Sequence, residues 1–146
     1  PTPSAASSVT VGSIMTTGVR TVPPETTLAE AMRLFSELEI RHMVVADAQG
    51  RIAGVFSAGE ALRQVTRGKD PENTPVTAIM RQEPLFVRPD TSVKDAIDLL
   101  IFNRIHCLPV LETDRTVCGI VTTTNLLTTL YEFLETLDQP IRAAAR

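Results

Sequence analysis

Few residues in this chain of 146 are suited to chemistry: two histidines, His42 and His106, and two cysteines, Cys107 and Cys118. The cysteines lie eleven positions apart in apolar segments, a spacing that matches no redox or zinc motif. They read as buried free thiols, which makes a reducing cytoplasm the expected compartment. Histidine changes charge near neutral pH, so His106 is a candidate for pH sensitivity as well as for a satisfied structural role. There is no Gly-rich phosphate loop, no nucleophile elbow and no paired histidine ligand set. No catalytic residue and no metal site are expected, and the chain does not read as an enzyme.

What remains is a set of hydroxyl residues placed three positions before a polar one. Thr27 with Glu30 and Ser92 with Asp95 have the spacing of a helix start. The hydroxyl accepts from an otherwise orphan amide, and the acid favours the positive end of the helix. Ser57 with Glu60 and Thr122 with Asn125 repeat that spacing before two further apolar runs. Read as helix caps, they are structural; a helix N-terminus also attracts anions, so capping and binding are compatible.

The elements that must position these residues come from an internal repeat. An ungapped offset of 65 carries Ile14-Met15 onto Ile79-Met80, and likewise Val11 onto Val76, Val22 onto Val87 and Pro24 onto Pro89. The same register continues through Ile40 and Ile105, Gly54 and Gly119, to Leu62 and Leu127. Two copies of one supersecondary unit follow from this, too few for a solenoid. Each copy reads strand, helix, strand, strand, helix. The first strands are expected at Val19 to Val22 and Leu85 to Val87, each ended by a proline. Helical spacing follows Thr27 and Ser92. Hairpins join Met43–Ala46 to Ile52–Phe56 and Leu108–Leu111 to Val117–Val121. Second helices are expected near Ala58–Val65 and Thr124–Leu137, the last stopping by Pro140. The expected division is a flexible segment at 1–10, repeats at 11–65 and 76–138, a linker at 66–75 and a loose tail at 139–146. One copy has too few apolar positions to bury its sheet and helices alone. An α+β fold is therefore expected, with two pseudo-twofold-related β-α-β-β-α repeats packed sheet to sheet and two equivalent clefts between them.

Bulk properties exclude several partners. A net charge of −3 offers no global field for nucleic acid or anionic lipid. With no Trp and one Tyr, stacking platforms for single strands are hard to build. No apolar run reaches the roughly 18 residues of a membrane span, and PTPSAASSVT has no signal-peptide pattern.

The repeated segments SIMTTGVRTVPPETTLAEAMRLF, IRHMVVADAQGRIAGVFSAGEAL, PLFVRPDTSVKDAIDLL, IHCLPVLE and CGIVTTTNLL resemble the CBS domain family, over nearly the whole chain. The resemblance implies a tandem pair (a Bateman module), a homodimer, and a regulatory ligand such as AMP, ADP, ATP or S-adenosylmethionine in the clefts, with no obligatory cofactor. It further implies an effector protein that receives the signal; a stand-alone regulator and a piece of a longer chain both stay open. In the family's ligand motif a Gly, two apolar residues and Ser or Thr precede an Asp by three. The hydroxyl meets phosphate or ribose, and the Asp accepts from the ribose hydroxyls. Here Ser57 and Thr122 fit, while Glu60 and Asn125 depart from Asp. Glu60 keeps the charge at greater length; Asn125 keeps one acceptor and gains donors. Carried over from the family, Val19, Arg20, Arg41 and His42 join Thr122 and Asn125 in one cleft. Leu85, His106 and Cys107 join Ser57 and Glu60 in the other. Arg20, Arg41 and His106 are the phosphate ligands this implies, and the Thr122 side is expected to be the more positive. The double loss of Asp leaves an alternative, a dimerisation or docking module that binds no nucleotide.

Overall fold

The computed structural model describes residues 9–145. In chain order the elements are β1 (Thr21–Val22), α1 (Leu28–Leu38), β2 (His42–Ala46), β3 (Ile52–Ser57) and α2 (Ala58–Thr66). There follow β4 (Arg81–Gln82), α3 (Val93–Asn103), β5 (Cys107–Leu111), β6 (Val117–Thr122) and α4 (Thr123–Ala145). The helix starts are chemically marked. Thr27 accepts from the Glu30 amide, Ser57 from Glu60 and Ser92 from Asp95. Such caps contribute about 1 kcal/mol each.

The first sheet has the order β1-β2-β3-β4, with β1 parallel to β2 and the other pairs antiparallel. The second has β5 and β6, flanked by single bridges from Val87 to Val110 and from Thr16 to Ile120. Those bridges occupy the places that Val22–Val45 and Arg81–Val55 hold in the first sheet, so the 65-residue register extends to strand pairing.

The segment before each repeat crosses to the other repeat. β4, which precedes the second repeat, pairs with β3 of the first. Thr16, which precedes the first, exchanges backbone hydrogen bonds of 2.9 and 3.0 Å with Ile120 of the second. Val76 is fully buried in the first repeat's core with Leu28, Met43 and Phe56. Val11 is fully buried in the second repeat's core with Val87, Leu108 and Val121. Burying one such valine contributes about 1.5–3 kcal/mol, so each arm anchors the partner repeat. Gly54 and Gly119 let the arms pass. A Cβ on Gly54 would lie 2.6 Å from the Met80 sulfur and 2.8 Å from the Arg81 carbonyl oxygen, and one on Gly119 would lie 2.5 Å from the Met15 sulfur.

A third cluster, Val44, Val55, Cys107 and Ile120, joins the two sheets. At the hairpin tips Ile52 donates to the Arg115 carbonyl and Val117 to the Gly50 carbonyl, both at 3.0 Å. These bonds are related by the same register, so the pseudo-twofold axis passes between them.

Several expectations are corrected. The first strand is shorter than Val19–Val22, and Leu85–Val87 is no strand beyond the Val87 bridge; Arg81–Gln82 is the strand there. Glu83, with φ of 48°, and Pro84, which has no amide donor, interrupt the extended run. The flexible segment 1–10 falls mostly outside the described residues, but its end is docked. The Val9 carbonyl accepts from the Val93 amide at 2.9 Å, and Thr10 bridges Ser92. In the linker Thr74 does the same for Leu28 at 2.8 Å, each satisfying an orphan first-turn donor. The expected helix stop at Pro140 is not observed: the α4 backbone is helical to Ala145, and Arg146, the end of the expected tail, lies outside the described residues. Pro140 removes one donor, but the alanines after it are the strongest helix formers.

Candidate functional site

The register places the starts of α2 and α4 on either side of the pseudo-twofold axis, beside the starts of β2 and β5. A cleft of about 690 Å³ opens there, lined by residues of both repeats that include Thr16, Arg41, His42, Ser57, His106 and Thr122. Its size is that of small-molecule sites in general.

The two helix starts are built alike. At α2, the Ala58 amide donates to the Arg41 carbonyl at 2.9 Å, and the Glu60 amide to Ser57 Oγ at 3.1 Å. At α4, the Thr123 amide donates to the His106 carbonyl at 3.1 Å, and the Asn125 amide to Thr122 Oγ1 at 3.2 Å. Among the first-turn donors this leaves the Gly59 and Thr124 amides with no acceptor among the described residues, and both residues line the large cleft. Two positive helix ends therefore meet one cavity, with Arg41 and His106 at its wall.

The residues standing where the family has Asp are turned back onto their own caps. Glu60 Oε1 accepts from the Ser57 amide at 2.8 Å, completing a capping box. Asn125 Oδ1 accepts from the Thr122 amide at 2.8 Å and from Thr122 Oγ1 at 3.0 Å. Its amide group donates to Thr16 Oγ1 at 3.0 Å, which ties α4 to the crossed arm.

A second cleft of about 240 Å³ adjoins the first and shares His42, Ser57 and His106 with it. Glu60 and Cys107 line it together with Arg63, Arg81 and Arg104. Burial is the main cause that holds His42 below the ordinary histidine pKa; the charges of His106 and Arg41 act in the same direction and Glu60 opposes them. Burial pushes the Cys107 thiol up to about 11, with Arg81 pulling down and Glu60 pushing up. Cys107 and Cys118 are free thiols, but only Cys107 is buried as expected; Cys118 is half-buried.

Arg41, His42, Ser57, His106 and Thr122 thus share the large cleft, and His42, Ser57, Glu60, His106 and Cys107 the small one. Val19, Arg20, Leu85 and Asn125 line neither. Val19 packs against the cluster between the sheets, and Arg20 and Leu85 are exposed. The expected charge difference is also reversed, because the three arginines gather on the Ser57 side. The sequence carries little signal for them: Arg81 is the counterpart of Thr16 and Arg104 of Glu39, neither a motif position, and only Arg63, one helical turn after Glu60, lies near one.

The fold and site define a pair of CBS repeats. A CBS domain family model matches residues 11–67 and 76–132, and the chain belongs to that family. It is 30% identical over 122 residues to an uncharacterized 17.7 kDa protein of Acidianus ambivalens, covering 84% of this chain and 73% of that one. Among other relatives it spans far less, 14% of an A-adding tRNA nucleotidyltransferase of Geobacter sulfurreducens at 29% identity over 90% of this chain. A solved putative acetoin utilization protein (AcuB) of Vibrio cholerae superposes with a TM-score of 0.80 at 26% identity, covering 90% of this chain and 97% of that one. CBSX2, solved in complex with AMP, superposes at 0.75 with 27% identity, covering 85% and 97%. Among the described residues no helix is long and apolar enough to cross a membrane, and no group of His, Cys, Asp or Glu has metal-site geometry.

Proposed function

We propose that the chain is a non-catalytic regulatory module that binds an adenosine-type nucleotide between its repeats and passes the resulting change to an effector protein. The observation that carries this reading is the convergence of two capped helix starts on one cleft, with the Gly59 and Thr124 amides open. Phosphate accepts from those amides, from Arg41, and from the Thr122 hydroxyl once it turns away from Asn125 Oδ1. Ile40 and Ile120 supply apolar wall for a base. The AMP complex of CBSX2 supports the choice of ligand class. Ligand contacts to both repeats favour one relative tilt over another, which is the condition for transmitting a signal.

A second reading is favoured by one observation. Glu60 and Asn125, which stand where an acceptor for ribose hydroxyls is expected, are engaged by their own caps. On that reading the module docks or dimerises and binds no nucleotide.

The proposed assembly is a homodimer formed through α4, in a reducing cytoplasm. Leu127, Leu130, Leu134 and Leu137 are exposed and follow the three-four spacing of a helix-pairing seam. Replacing Leu130 and Leu134 by Glu is expected to give monomers in sedimentation equilibrium; an unchanged mass removes the seam from the proposal.

Thermal unfolding with AMP, ADP, ATP and S-adenosylmethionine separates the two functional readings. A ligand at a hundred times its Kd adds about 2.7 kcal/mol, a rise on the order of 5–10 °C for a chain of this size. The nucleotide reading requires such a rise and its loss in Thr122→Ala. Unchanged melting with all four ligands leaves the docking reading.

A further inference from the structure

We propose that the start of α2 carries a proton-operated latch, in which protonation of His42 draws the Glu60 carboxylate off the helix cap and onto the imidazolium. The parts are already side by side. His42 opens β2 and stands directly opposite Ser57, the last residue of β3 and the N-cap of α2. Residues paired across a ladder in this way project to the same face of the sheet. Glu60 holds the cap closed: its Oε1 accepts from the Ser57 amide at 2.8 Å, while its own amide donates to Ser57 Oγ at 3.1 Å. His42, Ser57 and Glu60 all line the small cleft, so the carboxylate has open space in which to turn.

Charge decides which partner Glu60 takes. The charged and titratable groups that share the two clefts with His42 come from every element around it. They are Glu39 at the end of α1, Arg41 before β2, Glu60 and Arg63 on α2, Arg81 on β4, Arg104 at the end of α3, and His106 and Cys107 at the start of β5. The arginines outnumber the carboxylates, and the Cys107 thiol, pushed up to about 11 by burial, stays neutral. While the imidazole is neutral, the cap keeps Glu60. An imidazolium has two N–H donors and a full charge; here it is half-buried among cations, and Glu60 is the carboxylate that shares its small cleft. Two full charges paired in such a site attract more strongly than a carboxylate and a neutral amide. Ser57 lines both clefts, so water reaches the amide that is released. Burial and the charges of His106 and Arg41 oppose the proton on His42 and Glu60 favours it, the sense that the latch requires.

The second repeat lacks the device. The register places Cys107 where the first repeat has His42, and Asn125 where it has Glu60. Neither changes charge near neutral pH. Acidification therefore unlocks the α2 side of the junction between the repeats and leaves the α4 side closed, which makes the junction pH-responsive without any ligand.

Proton–nitrogen correlation spectra of the whole chain from about pH 7.5 to about pH 5, with the His42 imidazole followed in the same samples, test the latch. The Ser57 amide resonance is expected to shift with the midpoint of the His42 titration, below 6.5. The Thr122 amide, held by Asn125 at 2.8 Å, should move far less. Glu60→Gln keeps an acceptor for the cap but carries no charge; it should abolish the Ser57 shift and move the His42 midpoint lower still. His42→Gln should leave the Ser57 amide at its neutral-pH position throughout. Melting at neutral pH controls for the folding of both variants. A Ser57 resonance that ignores the His42 titration, or a shift matched by an equal one at Thr122, overturns the latch. So does a Ser57 shift that survives in His42→Gln, because protonation of Glu60 itself then releases the cap. An unchanged His42 midpoint in Glu60→Gln overturns it as well, because the carboxylate then never reaches the imidazolium.

Discussion

Replacing Gly54 by Ala is expected to destabilise the protein through the crossed arm rather than through the strand it occupies. The added Cβ would lie 2.6 Å from Met80 Sδ, 2.8 Å from Met80 Cγ and 2.8 Å from the Arg81 carbonyl oxygen. Real carbon contacts are not that short, so Met80 must move, and so must the backbone of β4. Overpacking of this kind costs about 1–3 kcal/mol. For a chain of this size that lowers Tm by roughly 3–10 °C. Gly59→Ala is the matched control. Its Cβ meets only Ser57 Oγ at 3.8 Å, and alanine is the better helix former. That change is expected to be neutral or to stabilise by up to about 1 kcal/mol. Met80→Ala in the Gly54→Ala background should recover only part of the loss, because the Arg81 carbonyl is backbone and cannot be trimmed. Urea unfolding of the parent, Gly54→Ala, Met80→Ala and the double variant gives the double-mutant cycle. A Gly54→Ala protein as stable as the parent, or one no worse than Gly59→Ala, would refute the crossed-arm packing.

Three further outcomes follow from the geometry. Ser57→Ala removes the hydroxyl that accepts from Glu60 and half of the capping box, so urea unfolding should show a loss of about 1 kcal/mol, while Thr66→Ala at the far end of α2 should cost less. Glu83 is exposed with φ of 48°, at the position where the first repeat has Gly18 with φ of 65°; Glu83→Gly relieves a left-handed residue and should stabilise by about 0.5–1 kcal/mol by the same assay. His42 has its pKa lowered from 6.5 by burial and by the charges of His106 and Arg41, against Glu60. Below that pH the unfolded chain binds a proton that the folded chain resists, so stability should decline as pH falls from about 6.5, and His42→Gln should flatten the decline; an unchanged pH profile in that variant would assign the decline to other groups.

Local features were legible in the sequence where one residue type answers one backbone need. Thr27, Ser57 and Ser92 mark helix starts because an orphan amide needs an acceptor three residues earlier, and each supplies one. The hairpins and the two-repeat α+β fold follow from the same kind of pattern. The crossing of the arms was not legible. Val11 and Val76 are equivalent in sequence, and nothing in a repeat says which copy an arm completes. The equivalent glycines Gly54 and Gly119 offer the same clearance in both copies, so the choice rests on loop closure in the assembled chain. The site was half legible for a similar reason. Arg41, His42, Ser57, His106 and Thr122 stand at motif positions and gather around the large cleft. Arg63, Arg81 and Arg104 gather only because a helix, a crossed strand and a helix end meet in space. Val19, Arg20 and Leu85 line neither cleft, although they precede the first helix of each repeat as the motif positions do.

The claim on which the rest depends is that a nucleotide sits between the two repeats. Backbone amide NMR during titration with AMP and ATP tests that location directly. Saturable shifts are predicted at Gly59, Thr123, Thr124 and His106. No shift at millimolar nucleotide, or shifts confined to the exposed face of α4, would contradict the account.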